Sequence, residues 1–246
     1  MRLHILGTAG YHPNETRQTA CLMIPELGIV LDAGTGFFRA RDLLQTCELD
    51  IFLSHTHLDH VVGLSFWFDI VHERTINRAT VHGQPEKLAA VREHLLSEHL
   101  FPAAIPYEYR PLTSIVPLAG NGQLTHFPLV HPGGATGYRL DWSNRSMAYV
   151  TDTFATPDLP YVEHLRGVDL LVHECNFRDD QKEFAELTGH SCTTAVAQIA
   201  KRAAVGRLVL VHMNPLILGD DPVGLETARR IFPNTVVAHD GMIIEF

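Results

Sequence analysis

Short apolar segments that end at a histidine or an aspartate recur along this chain, and they limit the folds that it can adopt. Ile51–Leu53 runs into a histidine-rich loop, Ala148–Val150 leads to Asp152, and Leu208–Val211 leads to His212. Such segments are typical of buried strands, which give rigid anchor points for the loops that follow them. We therefore expect a sheet-based fold in which several strand ends converge on one functional site.

Helices are expected between these strands. Pro85 to about Leu100 has a proline in its first turn and apolar residues at helical spacing. A second helix is predicted from roughly Ser191 to Ala204, with an apolar stripe along one side. Near the amino terminus, glycine and proline separate three further predicted strands, which are Arg2–Leu6, Cys21–Ile24 and Ile29–Leu31.

The length of the chain suits one domain. It has 246 residues, of which 46% are hydrophobic, and all-β sandwiches and layered α/β folds often reach this size as single domains. We predict one domain over residues 1–246. The amino terminus has no apolar leader, and no apolar run in the sequence could span a bilayer. The four cysteines form no Cys-x-x-Cys pair, and we expect them near the core. A cytoplasmic protein is expected.

The charge balance argues against extended nucleic acid as a partner. The formal net charge is −9 with histidine neutral, and arginines are scattered or paired, as at Arg229 and Arg230. Proteins that grip long nucleic acids usually present a basic face, because neutralised phosphates supply much of the affinity. RNA is therefore disfavoured without being excluded, since bound divalent metals would make the site locally more positive.

The strongest chemical signal is the segment His55-x-His57-x-Asp59-His60. Imidazole and carboxylate are natural ligands of zinc and neighbouring divalent ions. Residues two apart in an extended segment point the same way, so His55 and His57 can bind one ion together. Asp59 and His60 follow as the chain turns and can face a second ion. The alternative is a polar loop that happens to be rich in histidine, and the ordered set after a strand argues against it.

A pair of metals needs further ligands, and three isolated residues qualify by position. His131 follows Leu129-Val130, while Asp152 and His212 each follow a predicted strand. Each of the three alone would more often be an ordinary polar residue at a strand end. Their order after the first motif makes them candidates as a group.

Several segments match a known family in order along nearly the whole chain. They are Leu6–Gly10, Leu31–Gly36, His55–His60, His131 followed by Gly137-Tyr138, Tyr149–Thr153, His173-Glu174, Gly189–Ser191 and Leu210–His212. On these segments the chain resembles the metallo-β-lactamase superfamily, in particular its ribonuclease Z-like branch. The resemblance implies an α/β fold, the four-layer αββα metallo-β-lactamase sandwich.

The resemblance also implies roles for individual residues. His55, His57 and His131 would hold a first metal, Asp59, His60 and His212 a second, and Asp152 would bridge the two. Asp32 matches a position that supports the metal loop without touching the ions, and a ligand imidazole needs such a partner to keep one tautomer. Glu174 is interpreted as a partner of a histidine near the site. Zinc is the expected metal, with manganese and iron as alternatives.

Two divalent ions point to hydrolysis of a phosphodiester. Metal binding lowers the pKa of water to about 7, and two ions can hold the attacking and nonbridging oxygens. The predicted catalytic residues are His190 and Asp59, with His190 as proton donor to the leaving oxygen. Ser191 is predicted to cap the following helix and to contact phosphate. The start of a helix binds phosphate well because it has free backbone N–H groups and the positive end of the helix dipole. A mere capping segment is the alternative for His190 and Ser191.

The expected substrate is a small or nucleotide-like phosphodiester. No long insertion rich in glycine, proline and lysine lies between His60 and His131, whereas true tRNA-processing relatives usually carry an extra arm. The carboxyl-terminal Val236–Ile244 resembles small phosphodiesterases of the phosphonate-utilisation type, and His212–Leu216 resembles PqqB-like proteins. Alternatives are a tRNA 3′-end endonuclease, a β-lactamase or thioester hydrolase, and a PqqB-like non-hydrolytic metal protein. No membrane partner is expected, and the resemblance suggests a homodimer.

Overall fold

The computed structural model describes residues 1–219 and 221–246. This part of the chain divides into two compact units, one made of Met1–Ser114 with Asp240–Glu245 and the other of Ile115–His239 with Phe246. The single domain over residues 1–246 stays a prediction.

The described residues contain fourteen strands. They are β1 (Arg2–Gly7), β2 (Cys21–Ile24), β3 (Ile29–Leu31), β4 (Glu48–Phe52), β5 (Arg78–Gly83), β6 (Tyr107–Pro111), β7 (Val116–Leu118), β8 (Gly122–Leu129), β9 (Ala135–Trp142), β10 (Arg145–Val150), β11 (Leu170–Glu174), β12 (Arg207–Val211), β13 (Thr235–Val237) and β14 (Ile243–Glu245).

The helices are short. The α-helices are α1 (Ala40–Leu43), α2 (Leu58–Val61), α3 (Trp67–Ile70), α4 (Pro85–Ala90), α5 (Lys182–Thr188), α6 (Thr193–Arg202) and α7 (Leu225–Ile231). Turns of 3₁₀ helix cover Pro25–Leu27, Thr35–Arg39, Val62–Phe66, Pro160–Leu165 and Asp179–Gln181.

The first unit contains a seven-stranded sheet in the order β14-β1-β2-β3-β4-β5-β6. The pairs from β3 to β6 are parallel, and those from β14 to β3 are antiparallel. Val30, Ile51 and Val81 are paired neighbours across three strands and are fully buried. Apolar side chains from three adjacent strands therefore form a row in the core of this unit, which also contains Phe37 and Trp67.

The second unit contains the other seven-stranded sheet, in the order β13-β12-β11-β10-β9-β8-β7. Strands β10 to β13 pair in parallel, and β7 to β10 in antiparallel fashion. Its core includes the paired residues Leu171 and Leu208 together with Val196 and Ile199 of α6. The parallel strands place the carboxyl ends of β10, β11 and β12 at one edge of the sheet.

Two predicted helices differ from the observed ones at their ends. The helix expected from Pro85 to about Leu100 ends earlier, because α4 widens into one π-helical turn over Val91–Leu95, where the Leu96 N–H bonds to Val91 O. The helix expected from roughly Ser191 begins at Thr193.

Cys47 is exposed, unlike the other three cysteines. Within the described residues, no helix is long and apolar enough to span a membrane.

Candidate metal centre

Asp32 and the His55–His60 segment lie at the same edge of the first sheet. Asp32 directly follows β3, the segment follows β4, and these two strands are parallel neighbours. The N–H of Asp32 donates to Phe52 O at 2.9 Å, which joins the two strand ends. Beyond β4 the chain bends at Ser54, is extended at His57, and then turns into α2, which carries Asp59 and His60.

The side chains of the His55–His60 segment are close together. The ring centroid of His55 lies 4.4 Å from that of His57 and 4.3 Å from that of His60. Nε2 of His60 lies 3.4 Å from Oδ2 of Asp59. His55, Asp59 and His60 are buried, whereas His57 is exposed. The first unit thus brings three imidazoles and a carboxylate into one cluster.

Asp32 holds this cluster through hydrogen bonds from three donors. Its Oδ1 accepts the Ser54 N–H at 2.7 Å, and its Oδ2 accepts Ser54 Oγ–H at 2.7 Å and His60 Nδ1–H at 2.8 Å. Because the Ser54 hydroxyl proton points to Asp32, Ser54 Oγ accepts Nδ1–H of His55 at 3.0 Å. One buried carboxylate therefore fixes the tautomers of His55 and His60, and both Nε2 atoms carry the lone pair.

Asp59 is positioned by backbone contacts from elsewhere in the first unit. Its Oδ2 accepts the N–H of Tyr11 at 2.7 Å. Its carbonyl oxygen lies so close to Gly34 that a Cβ at that position would be 2.1 Å away. Glycine is therefore required at position 34 for the two loops to approach each other.

In the second unit, the candidate residues also gather at strand ends. Asp152 follows β10 and His212 follows β12, at the edge where these parallel strands end, and His131 lies two residues beyond β8. Nε2 of His212 is 3.1 Å from Oδ1 of Asp152, and Nε2 of His131 is 3.5 Å from Oδ2. Ligand atoms of Asp152, His190 and His212 all lie within 4.8 Å of one another.

Three of the candidate residues have left-handed backbone conformations. The φ angles of Asp32, Asp152 and His212 are 56°, 46° and 60°. Asp32 and His212 directly follow a strand, and Asp152 lies two residues beyond the end of β10. Non-glycine residues adopt such angles at a cost of order 1–3 kcal/mol, and they cluster at functional sites. The shared conformation marks these three strand ends as candidate functional positions in both units.

His190 is fixed by the end of α5. The N–H of His190 donates to Ala185 O at 2.8 Å, and the N–H of Gly189 donates to Glu186 O at 3.3 Å, which is the Schellman pattern of a helix end. Gly189 has a φ of 75°, and a Cβ there would lie 2.5 Å from Pro132 Cδ. Glycine is therefore needed both for the helix end and for the approach to the His131 loop.

Glu174 lies between His190 and the strand ends. Its Oε1 accepts Nδ1–H of His190 at 3.0 Å and the N–H of Thr153 at 2.8 Å, and Oε2 accepts the N–H of Ser191 at 3.2 Å. The carboxylate is fully buried. It therefore fixes the His190 ring with Nε2 directed away from Glu174.

The environment of His131 favours its neutral form. Burial lowers the pKa of His131, and this effect outweighs Asp152 and the Gly189 carbonyl, which act in the opposite direction. Nδ1–H donates to Gly189 O at 3.0 Å, so the lone pair of the neutral ring is on Nε2. A neutral imidazole is the form that binds a metal.

A match to the beta-lactamase superfamily domain covers residues 28–213. The matched region includes the His55–His60 segment, Asp152, His190 and His212. The chain belongs to the metallo-β-lactamase superfamily, in its ribonuclease Z-like branch. The α/β class and the metallo-β-lactamase fold predicted from the sequence are confirmed. The matches support a metal-dependent hydrolase of this superfamily.

Curated relatives of this superfamily member are named ribonuclease Z. The protein from Archaeoglobus fulgidus is 26% identical over 303 aligned positions, which cover 99% of this chain and 97% of the relative. The protein from Synechococcus is 40% identical over 104 residues, which cover 41% of this chain and only 32% of the relative. Since 303 positions exceed the 246 residues of this chain, the Archaeoglobus protein contains segments that this chain lacks.

Solved structures share the fold along the whole chain. The metallo-β-lactamase fold protein YhfI from Bacillus subtilis has a TM-score of 0.80 at 20% identity, covering 100% of this chain and 99% of its own. The short form of human tRNase Z has a TM-score of 0.75 at 21% identity, with coverages of 100% and 99%. A diphosphatase of the PhnP family has a TM-score of 0.74 at 22% identity, with coverages of 100% and 98%. At these identities the likeness concerns the fold alone.

The donor set of this superfamily member fits a divalent metal. All the clustered candidates are imidazoles and carboxylates, which suit zinc, manganese and iron. The Nδ1–H groups of His55, His60 and His131 are bonded to acceptors, so their Nε2 atoms carry the lone pairs that a metal requires. The residues present therefore fit such an ion in chemistry and in protonation state.

Ser191 does not cap α6. The N-cap residue is Cys192, and the Ser191 hydroxyl is fully buried and donates to Thr153 O at 2.6 Å. The predicted cap is wrong because Asp179 takes this place, accepting the N–H and the hydroxyl of Thr194 at 2.9 and 2.7 Å. The carboxylate of Asp179 also disfavours an anion at this helix start. The Ser191 hydroxyl, buried and bonded to Thr153 O, is therefore a poor contact for phosphate.

Sequence reasoning missed Ser54, Asp179 and the Tyr11 N–H. Ser54 directly precedes His55. A hydroxyl next to a candidate ligand histidine is a recognisable signal, because it can link the imidazole to a carboxylate by hydrogen bonds, as Ser54 links His55 to Asp32. The partners of Asp179 and Tyr11 lie 15 and 48 residues away along the chain. No local pattern in the sequence reports these two contacts.

Proposed function

We propose that this protein is a phosphodiesterase whose candidate ligands from both units hold two divalent ions. One ion would be held by His55, His57 and His131, the other by Asp59, His60 and His212, with Asp152 bridging. The observation that carries the proposal is the set of imidazoles whose Nδ1–H groups already have acceptors, beside carboxylates at strand ends. Zinc is the proposed metal, with manganese and iron as alternatives.

When bound, the two ions would supply an activated water near neutral pH and positive charge for the phosphate oxygens. The residues of the chain would orient and transfer protons around them. Nδ1 of His190 is bonded to Glu174, so Nε2 is the atom that can hold a proton for the leaving oxygen. Asp59, the second proposed catalytic residue, accepts the Tyr11 N–H, and its carboxylate would accept a hydrogen bond from the attacking water.

RNA is the first substrate class to test. The curated relatives that align with nearly the whole chain carry the name ribonuclease Z. These names favour a tRNA 3′-end endonuclease over a hydrolase of small phosphodiesters. The names correct the expectation from net charge that RNA is disfavoured, because an acidic chain can bind phosphates at a local metal centre.

A small or nucleotide-like phosphodiester remains the second candidate. The Archaeoglobus relative contains segments that this chain lacks, and the formal net charge of this chain is −9. Both observations favour a substrate that needs less contact surface than a folded RNA. Structural likeness to the PhnP-family diphosphatase is compatible with this candidate but concerns the fold alone.

The test is a substrate panel on zinc- or manganese-loaded protein. It compares precursor tRNA, a cyclic nucleotide and bis(p-nitrophenyl) phosphate for the native chain and for Asp152→Asn. Asparagine keeps the size of the side chain and tolerates the left-handed backbone at this position. Asp141→Asn is the matched control, because Asp141 pairs with Arg139 near the start of β10, at the opposite edge of the same sheet.

The proposal predicts diester cleavage that is lost in Asp152→Asn and kept in Asp141→Asn. Cleavage of precursor tRNA with a steep salt dependence would identify the first candidate, and cleavage of small diesters alone would identify the second. Metal-loaded native protein that cleaves none of the three substrates would refute phosphodiester hydrolysis.

A further inference from the structure

Phe184 is an exposed aromatic residue on α5, just before the candidate catalytic His190. Its exposed fraction is 59%, and α5 also exposes Leu187 at 76%. Single exposed apolar residues are ordinary on protein surfaces and need no explanation. Phe184 differs from such residues because its ring contacts Phe177, and the ring of Phe177 in turn contacts His190.

The ring contacts connect Phe184 to candidate metal ligands. Its centroid is 5.9 Å from that of Phe177, edge to face at 74°, and Phe177 is 6.3 Å from His190. His190 in turn lies 5.2 Å from both His131 and His212. Phe177 is buried. One ring, that of Phe177, therefore lies between Phe184 and His190, the residue proposed to protonate the leaving oxygen.

The backbone keeps Phe184 and His190 in a fixed relation. The Schellman bonds at the end of α5 join His190 to Ala185, the neighbour of Phe184, and Thr188 Oγ1 donates to Phe184 O at 2.8 Å. Ala185 is itself buried in a cluster with Phe177 and Cys192. The ring itself packs edge to face on Phe177. A ring with such a contact loses less conformational entropy than a fully mobile one when a flat group stacks on it.

We propose that Phe184 is a stacking platform for the base that adjoins the scissile phosphate, so that the site selects nucleotide phosphodiesters over diesters without a base. This inference rests on the proposed phosphodiesterase function and narrows its substrate class. An aromatic face accepts any base, because every base has a π-face, and each stack typically contributes about 1–3 kcal/mol. Phe184 offers the base no hydrogen bond, so we expect little discrimination among the four bases.

The test uses two chromogenic diesters that differ only in the base. Thymidine 5′-(p-nitrophenyl) phosphate and its abasic deoxyribose counterpart are compared on native protein, Phe184→Ala, Phe184→Trp and Leu187→Ala. Leu187→Ala is the matched control, since Leu187 is even more exposed on the same helix and belongs to no ring contact among the described residues. Phe184→Ala should lower kcat/KM for the base-bearing diester roughly 5- to 100-fold and leave the abasic diester within about 2-fold.

Phe184→Trp should retain the preference for the base, and Leu187→Ala should leave both substrates unchanged. Equal losses on both diesters in Phe184→Ala would assign Phe184 a packing role and overturn the proposal, as would no loss on either. Binding of thymidine 5′-phosphate and deoxyribose 5-phosphate, measured by calorimetry, gives a readout that needs no turnover. Base-dependent binding that is lost in Phe184→Ala would support stacking even if diester hydrolysis failed, and equal binding of both products by native protein would refute it.

Discussion

Replacing Asp32 with asparagine should weaken metal binding while leaving the surrounding backbone in place. Asparagine has nearly the same shape and accepts the left-handed conformation that Asp32 adopts at φ 56°. The amide oxygen can still accept the Ser54 N–H. The amide NH₂, however, would replace Oδ2, which accepts both the Ser54 hydroxyl and His60 Nδ1–H in the native protein.

The loss can be estimated from these contacts. Hydrogen bonds to a charged group typically contribute about 1.5–3 kcal/mol each, and two such bonds would face a donor instead of an acceptor. An amide that donates to His60 Nδ1 also moves the ring proton to Nε2, which removes the lone pair needed for a metal. Changes in partners of metal ligands usually cost 10–100-fold in affinity, so we expect zinc to bind 10–100-fold more weakly to Asp32→Asn.

The assay is a competition titration against a chromogenic zinc chelator, with thermal unfolding of the metal-free protein measured in parallel. Asp50→Asn is the matched control, because Asp50 pairs with Arg78 and His82 on the same sheet without contacting the His55–His60 segment. It should lower stability but leave zinc affinity unchanged. Native zinc affinity in Asp32→Asn would show that this carboxylate does not organise the ligands.

Three further changes follow from the same contacts. His190→Ala should keep its metal but lose roughly 10²–10⁴-fold in kcat, and loss of metal in elemental analysis would make His190 a ligand instead. Gly189→Ala should lower the melting temperature, since a Cβ would lie 2.5 Å from Pro132 Cδ at a φ of 75°, and an unchanged melting curve would contradict this packing. Burial opposes ionisation of Asp50, but hydrogen bonds from His82 and Arg78 outweigh it and hold the pKa of Asp50 below its usual 3.8. Its contribution to stability should therefore be lost as the pH falls below about 4, and acid unfolding of Asp50→Asn should lack this component.

The sequence predicted the elements whose signals are local. Cys21–Ile24 and Ile29–Leu31 were predicted as strands and are observed with the same bounds, because glycine and proline delimit both segments. His55 and His57 could be paired from their spacing in an extended segment. Asp152 and His212 were found because each ends an apolar run, and the structure shows that the same strand ends carry left-handed residues.

The features that the sequence did not predict depend on contacts between distant segments. The helix from Pro85 ends at Leu95 because one turn widens, although Leu96 continues the apolar pattern. Asp179 replaces Ser191 at the start of α6 through a contact across 15 residues. The sequence did not identify the partner of His190, because Glu174 lies 16 positions before it and the intervening segment includes a helix whose path only the fold determines.

The central claim is that ligands from distant stretches of the chain hold a pair of divalent ions. Zinc stoichiometry, measured by elemental analysis after dialysis against zinc and then against metal-free buffer, tests it most directly. We predict two zinc ions per native chain and a loss of zinc both in His55→Ala and in His212→Ala, which change residues of different units. A native chain that retains no zinc, or variants that both retain two ions, would contradict the claim.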